Sequence, residues 1–140
     1  MNYYDTFITV SPDSKATVGL VPQEKKNGPS KHGIEYELLA GSPYAYTQEE
    51  LLFEVHIRHK GIPPEELEAR GEQLWNEFFQ RSHACLRASM LPKKYGWGIH
   101  FDKEGKIALY GVESPEYKKL AENDGGGLKI LAGMRSSRST

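Results

Sequence analysis

An α+β fold is predicted for this chain: a single domain with a mostly antiparallel β-sheet covered by two or three helices. Three observations predict it. Two segments carry helix signals at their ends, the stretch from residue 97 to 112 reads as a hairpin, and no internal repeat or linker divides the 140 residues, a length suited to one compact domain. Hydrophobic residues make up 38% and charged residues 26%, enough apolar material for a core and too much for a disordered chain.

The elements follow in order. Phe7 to Val10 is a β-branched and aromatic run closed by the turn signal Ser11-Pro12-Asp13. Residues 22–33 are rich in proline, glycine and lysine with almost no apolar anchors, which predicts a mobile loop. Ile34, Tyr36 and Leu38 alternate with Glu35 and Glu37, so a second strand is expected there. Gly41-Ser42-Pro43 ends it. Thr47 and Glu50 then match a capping box, and His59-Lys60-Gly61-Ile62 matches a helix end with basic residues against the negative terminus. Leu51, Phe53, Val55 and Ile57 also alternate in strand fashion, but the two end signals favour a helix.

Pro63-Pro64 opens the next helix, where the first N–H groups lack partners in any case. Leu67, Gly71, Leu74, Trp75, Phe78 and Phe79 share one face at three- and four-residue spacing. Full burial of its three aromatic rings is expected to contribute roughly 1.5–3 kcal/mol each. Strands are expected over Ala84 to Met90, Trp97 to Phe101 and Ile107 to Val112, the last two joined by a tight turn at Asp102-Lys103-Glu104-Gly105. Ser114 and Pro115 start a short helix running to about Ala121. Residues 123–127 form a Gly-rich break, a last strand is expected from Leu128, and residues 135–140 read as a frayed tail.

The chemistry-bearing residues concentrate between Cys85 and His100. On a strand, Cys85 and Arg87 share a face with His83, while Gly96 and Gly98 lie on the same side as His100 and leave space beside it. Close packing of another element against the two glycines is the plainer account of them. Within and around this stretch the chain resembles a small family of bacterial and fungal proteins known only as a domain of unknown function. The matching runs are Tyr4-Asp5-Thr6-Phe7-Ile8, Tyr46-Thr47, Cys85-x-Arg87-Ala88-Ser89, Lys94-Tyr95-Gly96-Trp97-Gly98-x-His100, Gly105 to Glu113, and Met134-Arg135-Ser136. That resemblance implies no activity, cofactor or catalytic residue, so the residues themselves carry the functional reading.

The leading reading is a small-ligand-binding or interaction module whose pocket lies near the Cys85–His100 segment. Arg87, Lys94, Tyr95, Trp97 and His100 would bind the ligand, since aromatic walls with a few cations suit a small anionic or planar molecule. The alternative is an enzyme with Cys85 as nucleophile and His83 or His100 as base. Cysteine-phosphatase chemistry is excluded, because C-x₅-R requires arginine where Leu91 stands. His56 and His59 can present two imidazoles from one helix face, with His83 or His100 as a third. No C-x-x-C or H-E-x-x-H pattern supports them, so no metal or other cofactor is expected.

Partners are expected to be a small molecule or another protein. A nucleic-acid module could draw on Arg87, Lys93, Lys94, Arg135 and Arg138 beside Tyr95 and Trp97. It is disfavoured because 18 basic residues are balanced by 19 acidic ones. Mean hydropathy of -0.62 and the absence of a long apolar run argue against a membrane partner. The N-terminus lacks the pattern of a signal peptide, and a single cysteine fits a reducing compartment, so a cytoplasmic location is expected.

Overall fold

The computed structural model describes residues 2–23, 28, 30–122 and 126–135. Four strands form one mixed sheet: β1 (Thr6–Thr9), β2 (Trp97–Phe101), β3 (Ile107–Gly111) and β4 (Lys129–Ala132), in the order β3-β2-β1-β4. Strand β2 is antiparallel to both β1 and β3, and β4 runs parallel to β1. Two of the three pairings are therefore antiparallel. The helices are α1 (Lys31–Gly41), α2 (Gln48–Lys60), α3 (Pro64–Phe79), α4 (Met90–Lys94) and α5 (Pro115–Ala121).

Strand alternation divides the sheet into two faces. Ile8, Ile99, Phe101 and Ile107 point to one side and join Ile34, Leu38, Leu39, Leu51, Val55 and Leu86 in the main core. Phe7, Gly98 and His100 point to the other side, where Tyr117 of α5 packs edge-on against Phe7 at 5.1 Å between ring centres. The sheet is thus covered by helices on both faces, and the α+β expectation holds, with five helices among the described residues where two or three were expected.

Helix α2 forms with both expected ends. The Thr47 hydroxyl accepts from the Glu50 amide at 3.3 Å, the Glu50 carboxylate accepts from the Thr47 amide at 2.9 Å, and Gly61 closes the helix with φ 68°. Its strand-like burial of Leu51, Phe53, Val55 and Ile57 has a packing cause: Leu51 and Val55 join the main core, whereas Phe53 faces α3. Thr47→Ala is expected to lower stability by about 1 kcal/mol in urea denaturation, and Thr47→Ser to restore most of it. An unchanged midpoint for Thr47→Ala would show that water replaces the cap.

Two expected strands are helical instead. Residues 34–38 lie within α1, which starts at Lys31 inside the expected loop, with the Ser30 side chain accepting from the Gly33 amide at 3.1 Å. Five alternating residues fit both periods, and the helical spacing of Ile34, Leu38 and Leu39 decides the matter by filling the core. Residues 84–90 form a 3₁₀ turn (Leu86–Ala88) leading into α4. The Leu86 amide, in place of a ladder bond, donates to the buried Gln48 side chain at 2.9 Å, and Ser89 caps α4 by accepting from the Leu91 amide. Pro92 has no N–H for a ladder and is tolerated in a first helical turn.

Helix α3 starts at its prolines as expected but departs from helical geometry at Arg70 (φ -133°, ψ 18°), and none of its residues is buried. Trp75, Phe78 and Phe79 pack edge-on or tilted against one another, at 4.6 and 4.8 Å, and edge-on against Phe53 of α2. Their contribution therefore falls short of that expected for full burial. The turn between β2 and β3 forms as expected, with Gly105 at φ 82° and the Asp102 carboxylate accepting from the Glu104 and Lys106 amides. Ser114 and Pro115 start α5, and β4 lies where the last strand was expected. Most of the expected 22–33 loop's centre, residues 123–125 of the Gly-rich break and residues 136–140 of the tail lie outside the described residues.

Candidate functional site

The helical layer forms a cavity of about 610 Å³, open to solvent, between α1, α2, the C-terminal half of α3 and residues 81–90. The apolar half of its lining is Leu52 and Val55 from α2, Leu74 and Phe78 from α3, and Leu86 and Met90 beyond them. A volume of this size falls within the range of small-molecule sites, and the lining mixes these apolar residues with Lys31, Glu35, His56, Lys60, Arg81 and His83. A depression of about 670 Å³ along α3 is lined by polar residues such as Glu68, Gln73 and Glu77. Gln73 there already donates to Glu77 at 3.0 Å and pairs with Arg70, so that surface is engaged with itself.

Glu35 stands in the wall of the main cavity. Residue 35 falls on the buried side of α1 between Ile34 and Leu38, and its carboxylate accepts from the Ser89 hydroxyl at 2.7 Å. Burial pushes its pKa up to about 7, opposed by the Ser89 bond and the charge of Lys31. His56, one turn after Leu52, packs against the Phe78 ring at 4.7 Å. Its pKa is lowered by burial first, then by the charges of Lys60, His83, Lys31 and His59.

Cys85 and His83 belong to the same wall. His83 stacks on Phe78 at 3.8 Å between ring centres and bonds the Phe78 carbonyl through Nε2 at 2.6 Å. The Tyr3 hydroxyl donates to the Cys85 sulfur at 3.4 Å; burial and this bond push the Tyr3 pKa up to about 12. Tyr3 therefore stays neutral at ordinary pH.

The other sequence-derived candidates lie apart from the cavity. Arg87 Nε donates to the Ala132 carbonyl at 2.9 Å, and the Arg87 carbonyl accepts from the Met134 amide, which fastens residues 86–88 to β4. Lys94 is exposed at the end of α4, and the Tyr95 ring lies 5.0 Å from His32. Trp97 donates through Nε1 to the Leu20 carbonyl at 2.8 Å and packs beside Tyr36. The expected common strand face of His83, Cys85 and Arg87 is absent, because the segment is not a strand.

His100 sits on the far face of the sheet. Its Nδ1 pairs with the Tyr44 hydroxyl at 2.8 Å, which in turn pairs with the Tyr110 hydroxyl at 2.7 Å. Burial lowers its pKa, while Asp102 and Asp5 oppose that shift. Close packing, the plainer account of the two glycines, is what is found: Phe7 and Tyr117 of α5 fill the space at Gly98, and a side chain at Gly96 would meet the Val18 carbonyl. Tyr44 and Asp5, the two non-glycine residues with positive φ among the described residues, both border this group.

Sequence reading missed Lys31, Glu35, Lys60 and Arg81, all of which line the cavity. The signal for Glu35 is an acid among apolar residues at helical spacing, and it becomes visible only once the segment is read as a helix. Among the described residues no group of three or more His, Cys, Asp or Glu side chains is placed to hold a metal ion. Nor is any helix among them long and apolar enough to cross a membrane.

Fold and cavity define a small α+β domain with helices on both faces of a mixed sheet and a ligand-sized hollow within its helical layer. The chain belongs to a family of unknown function, DUF6157, whose profile matches residues 1–139. No curated protein and no solved structure matches it significantly.

Proposed function

We propose that this protein is a small-ligand-binding module whose site is the cavity between α1, α2 and α3. The observation that carries this reading is the cavity itself, about 610 Å³ with an apolar wall from Leu52, Val55, Leu74 and Phe78 and the buried Glu35 carboxyl beside it. The site joins only the first part of the Cys85–His100 segment, since Cys85, Ala88, Ser89 and Met90 line it. Helix α3 supplies one wall without burying a residue of its own, so entry of a ligand need not disrupt the main core.

The test uses phenylnaphthylamine, an uncharged aromatic probe, in a calorimetric titration. One-to-one binding is expected, weakened by Ala88→Phe, which fills the cavity, and by Leu74→Arg, which places a charge in its wall. Both variants should keep the wild-type circular dichroism spectrum. Absence of saturable binding, or binding indifferent to both variants, would overturn the assignment.

A further inference from the structure

We infer that the cavity selects small organic anions, with the apolar body between α1, α2 and α3 and the anionic group at Lys31, Lys60 and Arg81. This rests on the ligand-binding reading above and adds the chemical class of the ligand. All three cations line the cavity and are exposed, which places their charges at its mouth. Lys31 begins α1 and Lys60 ends α2, and a short connection between these packed helices brings those two ends together. The electrostatic effect of Lys31, Lys60 and His83 on His56 places the four basic groups in one neighbourhood.

The acids of the cavity offset that charge only in part. Of the four ion pairs among the described residues, none includes Lys31, Lys60 or Arg81. Glu77 accepts from Gln73 and lies 3.8 Å from Arg70. Glu35 is buried with its carboxyl bonded to Ser89, and loses much of its charge near neutral pH. An excess of positive charge at the mouth of an apolar hollow attracts anions and penalises cations. Inorganic ions gain nothing from Leu52, Val55, Leu74 and Phe78, so the complementary ligand has both an apolar body and an anionic group.

The test compares two probes with the same ring system: anilinonaphthalene sulfonate, which is anionic, and phenylnaphthylamine, which is not. Lys31→Glu with Arg81→Glu is expected to weaken the sulfonate by at least about fivefold and leave the uncharged probe within about twofold. Raising salt from about 0.02 to about 0.2 M should produce the same selective loss, because exposed charges are screened. If the charge reversals disturb the fold, Lys60→Gln with Arg81→Gln gives the same comparison at smaller amplitude. Competition against the sulfonate then separates the head groups: displacement by naphthoate assigns a carboxylate, and displacement by naphthyl phosphate a phosphate monoester. Equal displacement by inorganic phosphate alone would overturn the inference, as would charge variants that weaken both probes alike or neither. Failure of both probes on the wild-type protein would instead remove the ligand-binding reading beneath it.

Discussion

Gly98→Ala is expected to destabilise the protein by about 1–3 kcal/mol, although alanine ordinarily improves on glycine within a strand. A Cβ at residue 98 would lie 2.5 Å from Phe7 Cζ and 2.6 Å from the Tyr117 ring. Neither ring has room to retreat. Phe7 is fully buried, and the Tyr117 hydroxyl is held by the Val10 amide at 2.9 Å. Overpacking against two fixed rings forces backbone or rotamer shifts whose cost exceeds the gain in strand propensity. Urea denaturation of Gly98→Ala, Phe7→Leu and the double variant measures this directly. The cost of Gly98→Ala should shrink in the Phe7→Leu background, with a coupling of about 0.5–3 kcal/mol. Full additivity, or an unchanged stability for Gly98→Ala alone, would mean that the space beside His100 is open.

Elements with chemistry at their ends were legible in the sequence. Thr47 and Gly61 mark α2, Ser114 and Pro115 mark α5, and Gly105 marks the turn between β2 and β3, because each satisfies a local backbone requirement independent of the rest of the fold. Residues 34–38 and 84–90 were misread because their short patterns fit more than one period, and distant partners choose between them. Ser89 illustrates this: its hydroxyl caps α4 and also donates to Glu35, a residue 54 positions away. The site suffered from the same limit. Cys85 and His83 are close in sequence and share the cavity wall, whereas Lys31, Glu35, Lys60 and Arg81 join them only through the packing of α1, α2 and α3. His100 was singled out for the glycines beside it, yet those glycines admit Phe7, Tyr117 and the Val18 carbonyl.

Glu35→Gln is expected to stabilise the protein by about 3 kcal/mol near pH 8 and to have little effect near pH 4. The cause is the cost of keeping an ionised carboxylate in the wall of the core. Burial raises the Glu35 pKa from 4.5 to about 7, and the groups facing it, Ser89 and Lys31, only partly offset that rise. Between those two values the folded protein holds a proton that the unfolded chain has released. The associated stability is therefore fully present below about pH 4.5, declines by about 1.4 kcal/mol per pH unit, and is lost above about pH 7. Glutamine removes this dependence while keeping an oxygen to accept the Ser89 hydrogen bond, now 2.7 Å to the carboxylate. The measurement is urea denaturation of both proteins across this range. The difference between the two proteins is expected to grow from near zero to its full value as pH rises, so that the wild-type profile falls relative to the variant. Coincident profiles would mean that the carboxylate is solvated through the cavity, with no cost to its ionisation. A constant gain at every pH would mean that the amide packs better and that titration plays no part.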